Sequence, residues 1–245
     1  MTHKTLGLIS LMLLLSLLWW TGVAVLHIPH YFLPSFTDVI QSFTDNYGSI
    51  FMACGYTLGE ALLGLTLATL LALSLASLCY FIPFLAALLQ PLIVLSQALP
   101  LMVLAPLIVL WLGFGWSAKL TIVVLSLFFP IFIAAMNGFN QIPKLWLELA
   151  ITAKASRLRL FLHVILPGSF KSISAGLKIA IAWSMLSAII AEWVGGSRGL
   201  GFLMQNSLSR LDSAFLFANL FILVAVSLML YGLGALVFAN INDAR

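Results

Sequence analysis

Residues 148–167 read ELAITAKASRLRLFLHVILP and form the one long polar interruption of an otherwise apolar chain. We call this segment the basic stretch, because it concentrates Lys154, Arg157, Arg159 and His163. A membrane protein that gathers its positive charge in one internal segment usually keeps that segment on the cytoplasmic side. The basic stretch therefore predicts a cytoplasmic loop that meets a partner there.

Apolar residues recur at three- and four-residue spacing in and beside the basic stretch, which is typical of amphipathic helices. We expect two short helices on either side of a turn at 154–156, with Ser156 capping the second helix. Pro167, which a glycine follows, is expected to end that second helix. A solvated connector would not need two apolar faces and Trp146, so these faces predict a covering partner.

The composition is that of an integral membrane protein. Hydrophobic residues make up 63% of the chain, charged residues only 7%, and the mean hydropathy is +1.17, whereas soluble domains average about 25% charged residues. The basic residues are scattered along the sequence and give a net charge of +4, so they form no patch that could follow phosphates. We therefore expect membrane lipid as a partner and no nucleic acid.

Six apolar segments are long enough to cross a hydrocarbon core of roughly 30 Å as helices. We place them at about 6–26, 51–81, 88–111, 120–138, 175–194 and 214–239. The predicted fold class is all-α, a polytopic membrane protein in which residues 1–245 form a single transmembrane domain. The first segment also fits a cleaved signal peptide, but it is longer than the usual apolar region of about 7–15 residues. After it, residues 34–47 have the pattern of an amphipathic helix on the outer surface.

Basic residues near the segment ends predict the orientation of the chain. With the amino terminus inside, eight of them are cytoplasmic and three are external, which agrees with the positive-inside rule. Both termini and the loop 140–174 are then cytoplasmic. The cytoplasmic set is Lys4, Lys144, Lys154, Arg157, Arg159, Lys171, Lys178 and Arg245, and the external set is Lys119, in the turn 113–119, with Arg198 and Arg210.

The third segment contains several prolines, among them Pro91 and Pro106. Backbone groups that a proline leaves unpaired inside the bilayer are tolerated only against protein or a water-filled cavity. We therefore expect this segment and polar residues of the fifth segment to line a cavity. The predicted wall residues are Ser96, Gln97, Pro100, Ser184 and Ser187.

Two acidic residues lie within the apolar segments. Glu60 is either a functional acid or a group paired with a neighbour, and the sequence leaves both interpretations open. Glu192 ends the fifth segment, and the glycine-rich run that contains Gly199 and Gly201 follows it, so we predict an outer gate here. Small residues around Glu60 predict close helix packing. They are Gly55, Gly59, Ala61, Gly64 and Ala68.

The chain has no motif for nucleotide chemistry and no set of metal ligands. No G-x-x-x-x-G-K-[ST] loop occurs, so ATP would have to be bound by another subunit. His27 and His30 have a spacing that could hold a metal but no third ligand beside them. We expect no cofactor, no metal and no enzymatic activity on this chain.

The basic stretch resembles the EAA loop of permease subunits in bacterial ABC importers. Glu148 matches the acid of that loop, Ala150 its second alanine, and Ile165-Leu166-Pro167 its end. Ala155 and Ser156 follow the position of the usual glycine. Leu149 replaces the first alanine and Lys154 replaces the glycine, and a Cβ in a left-handed turn costs on the order of 1 kcal/mol or more.

Further segments resemble the branch of these permeases that imports nitrate, sulfonates, taurine and thiamine precursors. They are Pro91-Leu92, Ala98-Leu99-Pro100, Pro106-Leu107, the run 111–115, Ala191-Glu192 and Gly199-Leu200-Gly201. The resemblance covers about residues 55–240. That branch commonly has an arginine where Glu60 stands, which leaves the charge pairing at Glu60 in question.

The resemblance implies alternating access driven by a separate ATP-binding cassette ATPase. It also implies an external solute-binding protein, periplasmic or lipid-anchored, a second copy of this chain in a homodimer, and the bacterial inner membrane. The cavity wall would then be the translocation pathway, with a thiamine-precursor pyrimidine as the first candidate solute. The residues implied in ATPase coupling are Glu148, Leu149, Ala150, Lys154, Ala155, Ser156 and Pro167.

Two other classes of function remain as alternatives. An ion-coupled secondary transporter would be expected to show paired ionisable groups within the membrane or internal repeats. Glu60 and Glu192 instead lie toward the outer ends of their segments, and the sequence shows no repeat. A structural subunit of a haem enzyme would need histidines within the spans, whereas the four histidines lie in loops or at ends.

Overall fold

The computed structural model describes residues 3–26, 28–98 and 101–243, so His27 and Pro100 lie outside the described residues. Within these ranges the secondary structure is helical. The helices are α1 (His3–Ala24), α2 (Phe36–Phe81), α3 (Pro83–Ala98), α4 (Leu101–Leu112), α5 (Trp116–Asn140), α6 (Lys144–Thr152), α7 (Arg157–Leu160), a π-helical turn (Phe161–Ile165), α8 (Leu166–Gly168), α9 (Phe170–Gly195), α10 (Leu200–Ser209) and α11 (Ser213–Asp243).

Four helices in the described ranges are long and apolar enough to cross a membrane: Phe36–Phe81, Trp116–Asn140, Phe170–Gly195 and Ser213–Ala239. Leu101–Leu112 is a shorter apolar helix. The expected segment 88–111 is divided between α3 and α4. The all-α membrane fold is therefore confirmed, while the count of six spans stays a prediction.

Helix α2 differs from the expectation of a separate surface helix at 34–47. It runs without a break from Phe36 to Phe81 over 46 residues, because neither Gly48 nor any proline interrupts the helical pattern before the apolar segment begins. Ser35 starts it with a capping box, in which the Ser35 hydroxyl accepts from the Asp38 N–H at 3.1 Å. At 1.5 Å per residue such a helix is about 69 Å long. It therefore extends well beyond a hydrocarbon core of roughly 30 Å.

The core is a three-helix contact in which α5 packs against both α2 and α9. Along α2 the buried face carries small residues at three- and four-residue spacing, as the sequence predicts. A Cβ added to Gly64 would overlap Val123 of α5, and one added to Gly176 of α9 would overlap Ala134 of α5. These glycines allow the helix axes to approach closely. The buried small residues of α2 include Ala61, Gly64, Ala68, Ala72 and Ala76.

The prediction that Pro167 ends the second loop helix is wrong. Pro167 lies in the first turn of α8, directly after the π-helical turn, and the chain continues through Ser169 into α9. A proline is tolerated in the first turn of a helix because its missing N–H has no partner to lose there. Gly168 packs close to Ile142 and Trp146, so this junction holds the loop against the base of α9.

Candidate functional site

The turn of the loop 140–174 has the geometry of a left-handed helix cap. Helix α6 ends at Thr152, and Lys154 has a φ of 53°. The Ala155 N–H donates to the Ala150 carbonyl at 3.0 Å, which is the six-to-one hydrogen bond of a Schellman motif with Lys154 at the C′ position. Glycine is the usual residue at C′, so this chain keeps the turn and replaces its preferred residue.

Ser156 caps α7 as the sequence predicts. Its φ of −65° and ψ of 155° are those of extended backbone. The Ser156 hydroxyl accepts from the Arg159 N–H at 3.3 Å. An extended residue with an accepting side chain is the usual N-cap. The two short helices of the loop are therefore confirmed, with α7 passing into the π-helical turn.

The loop presents an apolar face that the described part of the chain leaves uncovered. Leu145 is 62% exposed, Trp146 48% and Leu149 61%. Beside them lies a concavity of about 560 Å³, and Glu148, which precedes Leu149 in the chain, is exposed. Three of the predicted coupling residues, Leu149, Ala150 and Pro167, thus line one concavity. The concavity is lined by Trp146, Leu149, Ala150, His163, Val164, Pro167 and Gly168.

At the other end of α9, the buried carboxylate of Glu192 holds three elements together. It accepts from the Thr57 hydroxyl at 2.7 Å and from the Gly201 N–H at 2.6 Å. The Thr57 hydroxyl in turn accepts from the Leu200 N–H at 2.8 Å. Gly199 has a φ of 108°, and a Cβ on it would overlap the Glu192 carboxylate. The three residues predicted as an outer gate therefore contact one another, and their gating role stays a prediction.

Thr57 is a part of this arrangement that the sequence analysis missed. It is completely buried on α2, one turn before Glu60 and on the face that carries the small residues. A hydroxyl on an otherwise apolar, closely packed face must find a partner. The position of Thr57 on this face is therefore the feature of the sequence that could have indicated a hydrogen-bonding role.

Glu60 pairs with Lys119, which confirms that it has a charged neighbour and leaves a functional role for Glu60 untested. The pair is buried, with 1% of the Glu60 side chain and 8% of the Lys119 side chain exposed. Lys119 was expected in an external turn, but α5 already begins at Trp116 and directs Lys119 against α2. The correction has a physical reason: a buried carboxylate is tolerated when a counter-charge accompanies it. The second Glu60 oxygen, Oε2, has no hydrogen-bond partner in the described part of the chain.

A pocket of about 500 Å³ opens beside this ion pair. Arg198 donates to the Tyr56 hydroxyl at 3.2 Å, and Lys119 lies 5.2 Å from the centroid of the Trp116 ring. The turns 113–115 and 196–199 meet here, at the ends of α5 and α9 opposite to the loop 140–174. We call this site the aromatic pocket, and its principal lining residues are Tyr56, Glu60, Phe114, Trp116, Lys119 and Arg198.

The predicted pathway residues are only partly described. Ser184 is completely buried and its hydroxyl donates to the Ile181 carbonyl at 2.8 Å. Ser187 is 1% exposed, and its hydroxyl lies 2.7 Å from that of Ser126. In this conformation both hydroxyls lie inside the helix packing, and their place in a pathway stays a prediction. Ser96 and Gln97 belong to α3, but their side chains, and all of Pro100, lie outside what the structure describes.

The helices and the two sites together define a multi-pass membrane protein. Residues 64–245 match the family described as binding-protein-dependent transport system inner membrane component. The chain belongs to this family and is a permease component of an ABC importer. The predicted family resemblance is thereby confirmed.

Several similar proteins have names that describe them as transport permeases. The chain is 40% identical to a "Probable ABC transporter permease protein" of Haemophilus influenzae over 88% of each chain. It is 30% identical to the formylaminopyrimidine transport permease protein ThiX of Halalkalibacterium halodurans, over 89% of this chain and 87% of that one. It is 32% identical to the riboflavin transport system permease protein RibX of Chloroflexus aurantiacus, over 94% and 87%.

A solved structure shares the fold. The crystal structure of an amino acid ABC transporter with histidines superimposes with a TM-score of 0.67 at 18% sequence identity. The match covers 84% of this chain and 98% of that chain. At this identity the likeness concerns the fold alone.

Proposed function

We propose that the loop 140–174 is the surface on which an ATP-binding cassette ATPase docks, with Glu148–Ala155 as its central segment. The observation that carries this proposal is the exposed apolar face of α6 beside the concavity that Trp146, Leu149 and Pro167 line. An apolar face of this kind in the cytoplasm needs a partner to cover it. The fixed turn at Lys154 supports a rigid contact, because it holds α6 and α7 in one arrangement.

The chain works as half of a pore in a homodimer, and an external solute-binding protein delivers the solute. Closure of two ATPase subunits on ATP draws the two loops together and opens the pathway outward. Nucleotide shifts this equilibrium only by its differential affinity for the two states, so ATP favours the arrangement with the loops together. Both termini and the loop are cytoplasmic in this proposal, in agreement with the distribution of basic residues.

The proposed solute is a small planar heteroaromatic compound of the thiamine-precursor pyrimidine class. Two of the relatives carry names that refer to heteroaromatic compounds, formylaminopyrimidine and riboflavin, and this supports the assignment. Taurine and other sulfonates, which appear in the names of further relatives at lower identity or coverage, are the competing class. The solute is tested together with the aromatic pocket below.

The test of the docking surface is the charge reversal Glu148→Lys. We expect membrane insertion to be unchanged, co-purification of the ATPase to be lost and transport to fall at least about tenfold, the effect of losing a charged contact of a few kcal/mol. Asp45→Lys is the matched control, since Asp45 is also exposed but lies on the first turns of α2. Unchanged co-purification and transport in the Glu148 variant would contradict the proposal.

A further inference from the structure

We propose that the aromatic pocket is a solute-recognition site of the permease itself, and that it takes a neutral, planar, aminated heteroaromatic ring. This inference rests on the proposed solute class and adds the residues that recognise it. The pocket has a volume of about 500 Å³, within the range of about 300–1,000 Å³ typical of small-molecule sites.

Glu60, one of the residues that line the pocket, carries an unused acceptor. Glu60 is almost completely buried, one of its oxygens pairs with Lys119, and Oε2 is closed to solvent and has no hydrogen-bond partner among the described residues. A buried oxygen without a partner is costly, and such an atom in a native structure calls for an explanation. A donor group of a bound solute would supply the missing partner once the Glu60 side chain turns Oε2 towards the pocket.

The charges around the pocket select a neutral donor. The charge of Glu60 is already balanced by Lys119, and Arg198 adds a second positive charge at the exposed rim. Among the lining residues an ammonium group would meet two cations against one carboxylate, and the nearby Glu192 carboxylate is already bound by Thr57 and Gly201, so an ammonium group is disfavoured. An aromatic amine donates to Glu60 without bringing a charge, and a ring nitrogen or carbonyl on the same solute can accept from Arg198.

The walls of the pocket favour a flat solute. Tyr56, Phe114 and Trp116 supply three aromatic rings, and Phe114 is 83% exposed while Trp116 is 50% exposed. Aromatic pairs in stacked or edge-to-face arrangements gain free energy beyond the area that they bury. A planar ring would therefore be held by its faces and oriented by Glu60 and Arg198 at its edges.

The neighbouring hydrogen bonds keep this site in shape. Glu192 binds the backbone of Gly201 and the hydroxyl of Thr57, so it fixes the turn that carries Arg198 to the helix that carries Tyr56 and Glu60. The pocket lies at the end of the bundle opposite to the loop 140–174. In the proposed orientation this is the side on which the binding protein releases its solute.

The ligand series uses the permease with its ATPase in lipid nanodiscs, without binding protein. Titration calorimetry compares 4-aminopyrimidine, pyrimidine and taurine. We expect 4-aminopyrimidine to bind about tenfold more tightly than pyrimidine, because only the amine reaches the charged acceptor Glu60. Taurine should bind most weakly. Equal affinities for the two pyrimidines, or tighter binding of taurine, would overturn the proposal.

Two substitutions locate the binding. Trp116→Leu should weaken binding of 4-aminopyrimidine about fivefold by removing a stacking face. Trp183→Leu is the matched control, since Trp183 is 56% exposed and lies elsewhere on α9. Glu60→Gln should remove most of the preference for 4-aminopyrimidine over pyrimidine. If that variant fails to fold, the ligand series and the two tryptophan variants still test the proposal. Equal effects of the two tryptophan variants count against the pocket.

Uptake by the complete importer, with its binding protein, separates this inference from the proposed function. Import of an aminated pyrimidine that Trp116→Leu does not slow would overturn the pocket and leave the solute class standing. Specific binding in the pocket without import of any aminated pyrimidine would support the pocket and overturn the solute class.

Discussion

Lys154 has a left-handed backbone conformation that glycine adopts more readily than lysine. Its φ of 53° places it at the C′ position of the cap that ends α6. A side chain with a Cβ costs about 1–2 kcal/mol in a left-handed helical conformation, whereas glycine adopts it freely. The hydrogen bond from Ala155 to Ala150 and the cap at Ser156 hold the turn in spite of that cost.

We expect Lys154→Gly to be tolerated. The relief of backbone strain offsets the greater flexibility of glycine in the unfolded chain, so the melting temperature should stay the same or rise by a few degrees. Transport should remain within about twofold of the unsubstituted protein. Leu211→Gly is the control, because Leu211 also has a positive φ of 57° but lies outside the loop. Complete loss of transport in the Lys154 variant alone would reveal a contact of its own.

At the scale of the helices, the small residues of α2 divide into two faces. Gly64 lies against Val123, so that a Cβ there would overlap α5, whereas a Cβ on Gly55 or Gly59 would meet nothing within 4 Å. The sequence predicts all three as packing glycines. The structure confirms Gly64 and leaves Gly55 and Gly59 on the open side of the helix within this chain.

The substitution Gly64→Ala should therefore destabilise the bundle. Overpacking a closely fitted interface costs about 1–3 kcal/mol, and circular dichroism of the detergent-purified protein should record a lower melting temperature. Gly55→Ala, on the same helix, should leave it unchanged or raise it slightly, because alanine favours helix by about 1 kcal/mol. Equal melting temperatures of the two variants would contradict the packing described for α2 and α5.

At the scale of the whole molecule, the two sites lie at opposite ends of α5 and α9. The loop 140–174 joins the end of α5 to the start of α9, and the aromatic pocket lies where the turns at the other ends meet. One site can therefore face the cytoplasm only if the other faces outward. The positive-inside rule assigns the loop to the cytoplasm.

Thiol labelling tests this orientation. Cys54 and Cys79 are buried, so the background from native thiols should be low. In intact cells a membrane-impermeant maleimide should label Ser197→Cys, whose position is exposed beside the pocket, and should leave Gln141→Cys unlabelled. Permeabilised cells should show labelling at both positions. The opposite pattern in intact cells would reverse the proposed topology.

The hydropathy and spacing of the residues by themselves determined the membrane class, the long helices and the two-helix loop, while the family followed from the resemblance of particular motifs. These features depend on neighbours within a few turns, and local pattern is enough to predict them. Local pattern also gave three wrong expectations. The surface helix 34–47 is not separate from the span that follows, Pro167 begins a helix instead of ending one, and Lys119 lies buried on α5 instead of in an external turn.

Only the tertiary structure decided which polar groups meet. Glu60 and Lys119 are 59 positions apart, and Thr57 and Glu192 are 135 apart. Whether such residues contact one another depends on the rotation and depth of whole helices, which no local spacing specifies. The basic stretch could be identified from the sequence, whereas the aromatic pocket with its unpaired Glu60 oxygen exists only because α2, α5 and α9 pack as they do.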